Sequence, residues 1–164
     1  MKVCSFTGHR EIKCSHKKLL PDMLYRAVNY AYGEGCREFC VGGALGFDTE
    51  AAKAVIKYRM SHPDVVLHVI APCADQSSGW SKSDRDFYDY TLGAADTVTV
   101  LAEHYYNGCM RARNLALAER CDIMIAYLYK DGSGACQTVR MAEGAGKTVY
   151  NIYPSIERTV RNDS

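Results

Sequence analysis

The chain of 164 residues is short of the features that most readily assign a function. It has no C-x-x-C pair, so a zinc knuckle or a thioredoxin-type dithiol has no support despite the eight cysteines. It has no G-x-x-x-x-G-K-[ST], which removes the P-loop signature, and no G-x-G-x-x-G after the first strand, which removes the usual NAD fingerprint. No apolar stretch approaches membrane-spanning length. Charge of neither sign dominates, at a formal net of +1, whereas a dedicated nucleic-acid binder would be more basic. A nucleic-acid partner is therefore not expected, although a local basic patch stays open. The start, MKVCSFTGHR, is not an apolar leader, so a cytoplasmic, reducing location with free thiols is expected. Cys4, Cys40 and Cys121 sit in or beside apolar runs and read as small buried hydrophobes.

What is present is an alternation of short apolar runs and amphipathic stretches. VCSF (3–6), EFCVG (38–42), VVLHVIA (65–71), DTVTVL (96–101), DIMIAYLY (122–129) and TVYNIY (148–153) read as strands. Leu20, Met23, Leu24, Ala27, Val28 and Ala31 keep helical spacing, and Pro21 suits the first turn of that helix. Further helices are expected over 48–60, from Ser81 to about Leu92, over 110–120, and from the DGSG turn to about Gly144. Strands alternating with helices predict a Rossmann-like three-layer α/β/α sandwich, with a mostly parallel sheet of about six strands. VVLHVI and DIMIAYLY look like its central strands. A single domain is expected over 1–153, followed by a C-terminal tail over 154–164 in which ERTVRND is frayed.

Glycines gather at the carboxyl ends of these strands. Thr7-Gly8-His9-Arg10 follows the first, Gly42-Gly43-Ala44-Leu45-Gly46 the second, and Gly132-Ser133-Gly134 the fifth. An open α/β sheet binds ligands beyond that edge, and uncrowded amides at a helix start suit a phosphate. Tight βα turns also use glycine without any ligand, but three such turns at one edge favour a site. Asp48 can cap the helix that follows or accept hydrogen bonds from ribose hydroxyls. Glu50 suits the helix dipole. Arg10 can meet a phosphate or stay solvated, and His9 can serve the ligand or only its loop. Tyr105, Tyr106 and Trp80 lie in loops where a base could stack, and Trp80 is a candidate lid. No metal ligands stand out, and a helix face could seat a second copy as a homodimer.

TGHR at the first strand, GGALGFDTEAA at the second, and RN-x-x-L-A-x-x-x-D-I-M-I-A before the last glycine turn resemble the SLOG superfamily. More narrowly they resemble its YpsA-like (DUF1273) group, over about residues 1–153. The resemblance implies a Rossmann-like domain that binds nucleotides or nucleotide-derived ligands such as ADP-ribose. It implies a ligand role for Gly46-Phe47-Asp48. The superfamily also holds DprA-type DNA-processing proteins and LOG-type phosphoribohydrolases. The LOG enzymes place an arginine nine residues before a strand-opening aspartate, as Arg113 and Asp122 stand here. Their P-G-G-x-G-T-x-E motif appears here as Asp131-Gly132-Ser133-Gly134-Ala135-Cys136-Gln137. Gln137 stands where the catalytic glutamate would be, and an amide supplies no carboxylate base.

The expected ligand-binding set is therefore Gly8, Arg10, Gly43, Gly46, Asp48, Arg113, Gly132, Ser133, Gly134 and Gln137. No catalytic residue is assigned; Asp48 is the candidate if there is one, and Glu143 is the other carboxylate that could serve, though neither matches the LOG motif. The expected role is a nucleotide-binding sensor or regulator. An N-glycosidic hydrolase or transferase is the first alternative and a DprA-like DNA-binding module the second.

Overall fold

The structure, a computed structural model, describes residues 2–163. Its six strands are β1 (Lys2–Gly8), β2 (Cys36–Val41), β3 (Val66–Ala71), β4 (Thr97–Val100), β5 (Ile123–Tyr127) and β6 (Thr148–Asn151). They form one sheet in the order β4-β3-β2-β1-β5-β6, and every neighbouring pair is parallel. The helices are α1 (Leu20–Gly33), α2 (Phe47–Arg59), α3 (Lys82–Ala94), α4 (Cys109–Arg120), α5 (Gly134–Gly144) and α6 (Tyr153–Asn162). The expected α/β sandwich is the observed one.

Alternation along the strands divides the core into two layers. Phe6, Phe39, Leu67 and Ile125 face α1, α2 and α6 in the larger cluster, against which Phe87 and Leu92 of α3 also pack. Met124 and Ala126 face α4 and α5, while Cys40 and Ile70 pack against Leu117 of α4. β3 and β5 are buried as expected, but each lies one strand in from an edge, with β2 and β1 between them. β4 is an edge strand whose four residues are all exposed.

Helix starts follow local chemistry. Ser81 Oγ accepts the Asp84 amide at 3.2 Å and caps α3, as its Ser-x-x-Asp pattern predicts. Ser133 Oγ does the same for the Cys136 amide of α5 at 3.1 Å.

The expectation of a frayed tail is corrected. Residues 153–162 form α6, and Ile156 is fully buried in the larger core cluster. Glu157 Oε1 lies 2.9 Å from Nε2 of the buried His16, whose Nδ1 lies 2.9 Å from the Tyr127 hydroxyl. α6 is thus tied both to the β1–α1 connection and to the end of β5. The sixth strand accordingly ends at Asn151, before the expected Tyr153.

Candidate functional site

The chain lays down β1 to β4 in one direction, then returns to place β5 on the free side of β1. Loops leaving β1 and β5 therefore diverge to opposite faces and open a crevice at their carboxyl ends. A hollow of about 530 Å³ occupies that crevice. Gly8 to Glu11, Ala44, Asp48, four residues of α4 and the start of α5 line it.

The turn after β2 is locked to its neighbours. The Arg113 Nη1 group donates to the Gly42 carbonyl at 2.6 Å, in a buried hydrogen bond between α4 and β2. A Cβ on Gly42 would stand 2.5 Å from that Nη1 and 2.9 Å from Asp48 Oδ2. Gly46 has φ +84° and turns the backbone against the Arg10 carbonyl, where a side chain has no room. Gly8 likewise leaves space for the Phe47 ring, which stacks on Tyr127 at 5.8 Å.

Asp48 is 6% exposed. The α2 N-cap is Gly46, so Asp48 does not cap the helix from that position. Its Oδ2 accepts the Ala44 amide at 3.3 Å. Burial pushes its carboxyl above the usual aspartate value, opposed by Arg113 and by the amides of Ala44 and Gly42. Burial pulls the Arg113 guanidinium down from its ordinary value, and Asp48 opposes that shift. Both side chains flank Gly42, Arg113 through its hydrogen bond to the carbonyl and Asp48 where a Cβ would stand. Arg113 Nε also donates to Asn114 Oδ1 at 2.9 Å, which fixes the fork.

The far wall is the N-terminus of α5. Ser133 and Gly134 line the hollow, and the first amides of a helix have no partner within it. Lys130 stands beside them. His9 Nε2 accepts the Tyr129 amide at 3.0 Å, which fixes the ring against the β5–α5 loop. Burial, then Lys130, pulls the His9 pKa down from its ordinary value.

Of the expected residues, Gly8, Arg10, Asp48, Arg113, Ser133 and Gly134 come together around this hollow. Gly43 faces a small neighbouring space with Trp80 and Tyr88, and Gly46 lines a separate hollow. Gly132 and Gln137 do not line the central hollow, and Gln137 is exposed on α5. Asp122 is also remote, since its Oδ2 accepts the Val3 amide at 2.8 Å at the opposite end of β1. Trp80 and Tyr105 line a hollow of about 240 Å³ that meets the central one at Arg10 and Met110. Sequence reasoning passed over Lys130 and Asn114. Both adjoin motifs already singled out, which was the available signal. Among the described residues no group of three or more His, Cys, Asp or Glu side chains is placed to hold a metal ion.

The chain matches the model of the YspA SLOG family over residues 6–153, and it belongs to that family. It is 28% identical over 148 residues to the UPF0398 protein BH1768 of Halalkalibacterium halodurans, covering 82% of this chain and 76% of that one. In fold it is similar to DNA processing protein A of Streptococcus pneumoniae, with a TM-score of 0.69 and 19% identity. That match covers 92% of this chain but 50% of the other, so the chain spans half the length of this neighbour. DNA processing protein A of Helicobacter pylori matches with a TM-score of 0.64 and 17% identity, over 90% of this chain and 63% of that one. The Helicobacter protein binds single-stranded DNA, so this likeness gives no support to setting nucleic acid aside. No helix among the described residues is long and apolar enough to cross a membrane.

Proposed function

We propose that this protein binds a nucleotide or a nucleotide-derived small molecule, of the ADP-ribose or nucleoside phosphate kind, in the hollow at the carboxyl edge of the sheet. The observation that carries this reading is the pairing of the α5 N-terminus with cationic side chains around a hollow of about 530 Å³ at the strand-order reversal. A phosphate sits against Ser133 and Gly134, within reach of Arg10 and Lys130. Asp48 accepts from the ribose. The base lies toward Trp80 and Tyr105. Membership of the SLOG family agrees with this chemistry.

The role that fits is sensing or regulation. Asp48 is buried and already accepts the Ala44 amide, and Gln137, at the glutamate position of the LOG pattern, lies off the hollow, so the LOG glutamate has no counterpart facing the sugar. Calorimetric titration with AMP, ADP, ADP-ribose and NAD tests the reading, with chromatography of the ligand afterwards. Binding of intact ligand is expected, weakened at least about tenfold, or 1.4 kcal/mol, in Asp48→Ala. Recovery of free base or ribose phosphate would make the protein a hydrolase instead. A second reading, a DNA-binding module, is favoured by the likeness to the single-stranded-DNA-binding Helicobacter protein. It requires oligonucleotide binding that weakens steeply with salt.

A further inference from the structure

The central hollow does not stand alone. The hollow carrying Trp80 and Tyr105 opens from one side of it, sharing Arg10 and Met110. A third hollow, of about 480 Å³, opens from another side, sharing Arg10 and Leu45. Arg10 is the one side chain common to all three.

The linings differ in chemistry. The central hollow carries Arg10, Arg113, Lys130 and the start of α5, which suit an anion, beside the carboxyl groups of Glu11 and Asp48. The aromatic flank suits a flat base. The third flank has an apolar floor of Ile12, Leu20 and Leu45, with Thr49, Glu50 and Asp84 around it and Lys17 and Lys53 at its rim, the latter 3.5 Å from Glu50 Oε1. Oxygen acceptors over an apolar floor suit a sugar or nucleoside, whose hydroxyls donate and whose ring face packs. A mononucleotide has its phosphate at one end, so it would fill the centre and one flank and leave the other empty.

We infer that the ligand is two-ended, with two nucleoside-sized halves joined through a pyrophosphate held at Arg10. This rests on the reading of the central hollow as a phosphate site, and it adds the third hollow as a subsite. Each half then adds to the binding of the other, because the second contact is made within one molecule.

The test is titration of the full chain with AMP, ADP, diadenosine pyrophosphate, NAD and hexathymidylate. A two-ended compound is expected to bind about tenfold or more tighter than ADP. Lys17→Trp and Lys53→Trp each place a bulky ring on an exposed position of the third hollow. Both variants are expected to lose that preference while keeping ADP affinity and the thermal melting of the unaltered protein. Equal affinity for ADP and the two-ended compounds would overturn the inference and leave the phosphate site standing. A preference that survives both variants would overturn it too. No binding by any mononucleotide or two-ended compound would remove the phosphate site itself, and tight hexathymidylate binding in that case would make the groove a DNA path.

Discussion

Gly42 and Gly134 stand at the same edge of the sheet for opposite reasons. A methyl group on Gly42 runs into Arg113 and Asp48, both buried and neither free to retreat. Gly42→Ala should therefore cost roughly 1–3 kcal/mol of stability by overpacking, read from the urea midpoint. A methyl group on Gly134 meets only the Asn114 amide nitrogen, at 3.4 Å. Gly134→Ala should hold stability or raise it by roughly 0.4–1 kcal/mol, while weakening ligand binding at the helix start. Equal losses of stability in the two variants would refute this division of roles. Asp48 and Arg113 should behave as a pair. Removing either one leaves the other charge less compensated, so each single variant should lower stability, and the Asp48→Asn, Arg113→Met double variant should lose less than the sum. The sign of the pH effect follows from burial. A carboxyl raised in the folded state contributes stability below its unfolded value, and that contribution is lost as pH rises through the raised value. Asp48→Asn should flatten that part of the stability profile, measured by denaturation at a series of pH values.

The least legible element was α6. Its segment, YPSIERTVRN, is mostly polar, but Tyr153, Ile156 and Val160 keep helical spacing behind Pro154, a pattern the frayed-tail reading passed over and which alone does not hold the helix. What holds it is tertiary: Ile156 completes the core, and Glu157 reaches a histidine 141 residues away in sequence. Ile156→Ala should cost roughly 2–5 kcal/mol by chemical denaturation, a loss that a frayed tail could not produce. The hydrogen bond from His16 holds the Glu157 carboxyl below the usual glutamate value. Its contribution is present above that usual value and is lost as pH falls through the lowered one. Glu157→Gln should remove that share of the acid limb. The six strands and the other helices were legible because short apolar runs alternate with longer amphipathic stretches and the breaks between them carry Gly, Pro or Ser. The site was legible only in part. Gly8, Gly42 and Gly46 mark real turns, yet in the fold they make room for Phe47, Arg113 and the Arg10 carbonyl. Close approach by the chain itself leaves the same mark in a sequence as close approach by a ligand.

At the scale of the whole molecule, strand order creates the crevice, and no local pattern reports strand order. The same burial explains the thiols. Of the eight cysteines, Cys14 is exposed and the other seven are buried and free. Withdrawal from water pushes the Cys36, Cys40 and Cys73 thiols up to about 11, so their reactive thiolate is scarce at neutral pH. Cys73 differs from the rest in lining the aromatic flank of the site, although it is 2% exposed. A chromogenic disulfide reagent should therefore titrate one thiol quickly in the native protein, that of Cys14, and all eight in guanidinium. Cys14→Ser should abolish the fast phase. Bound nucleotide should leave that phase unchanged and slow the modification of Cys73, followed by peptide mass mapping. Several fast thiols in the native state would contradict the packing of both core layers. Protection of Cys14 instead of Cys73 would move the ligand away from the Arg10 junction, because Cys14 lines none of the three hollows that meet there.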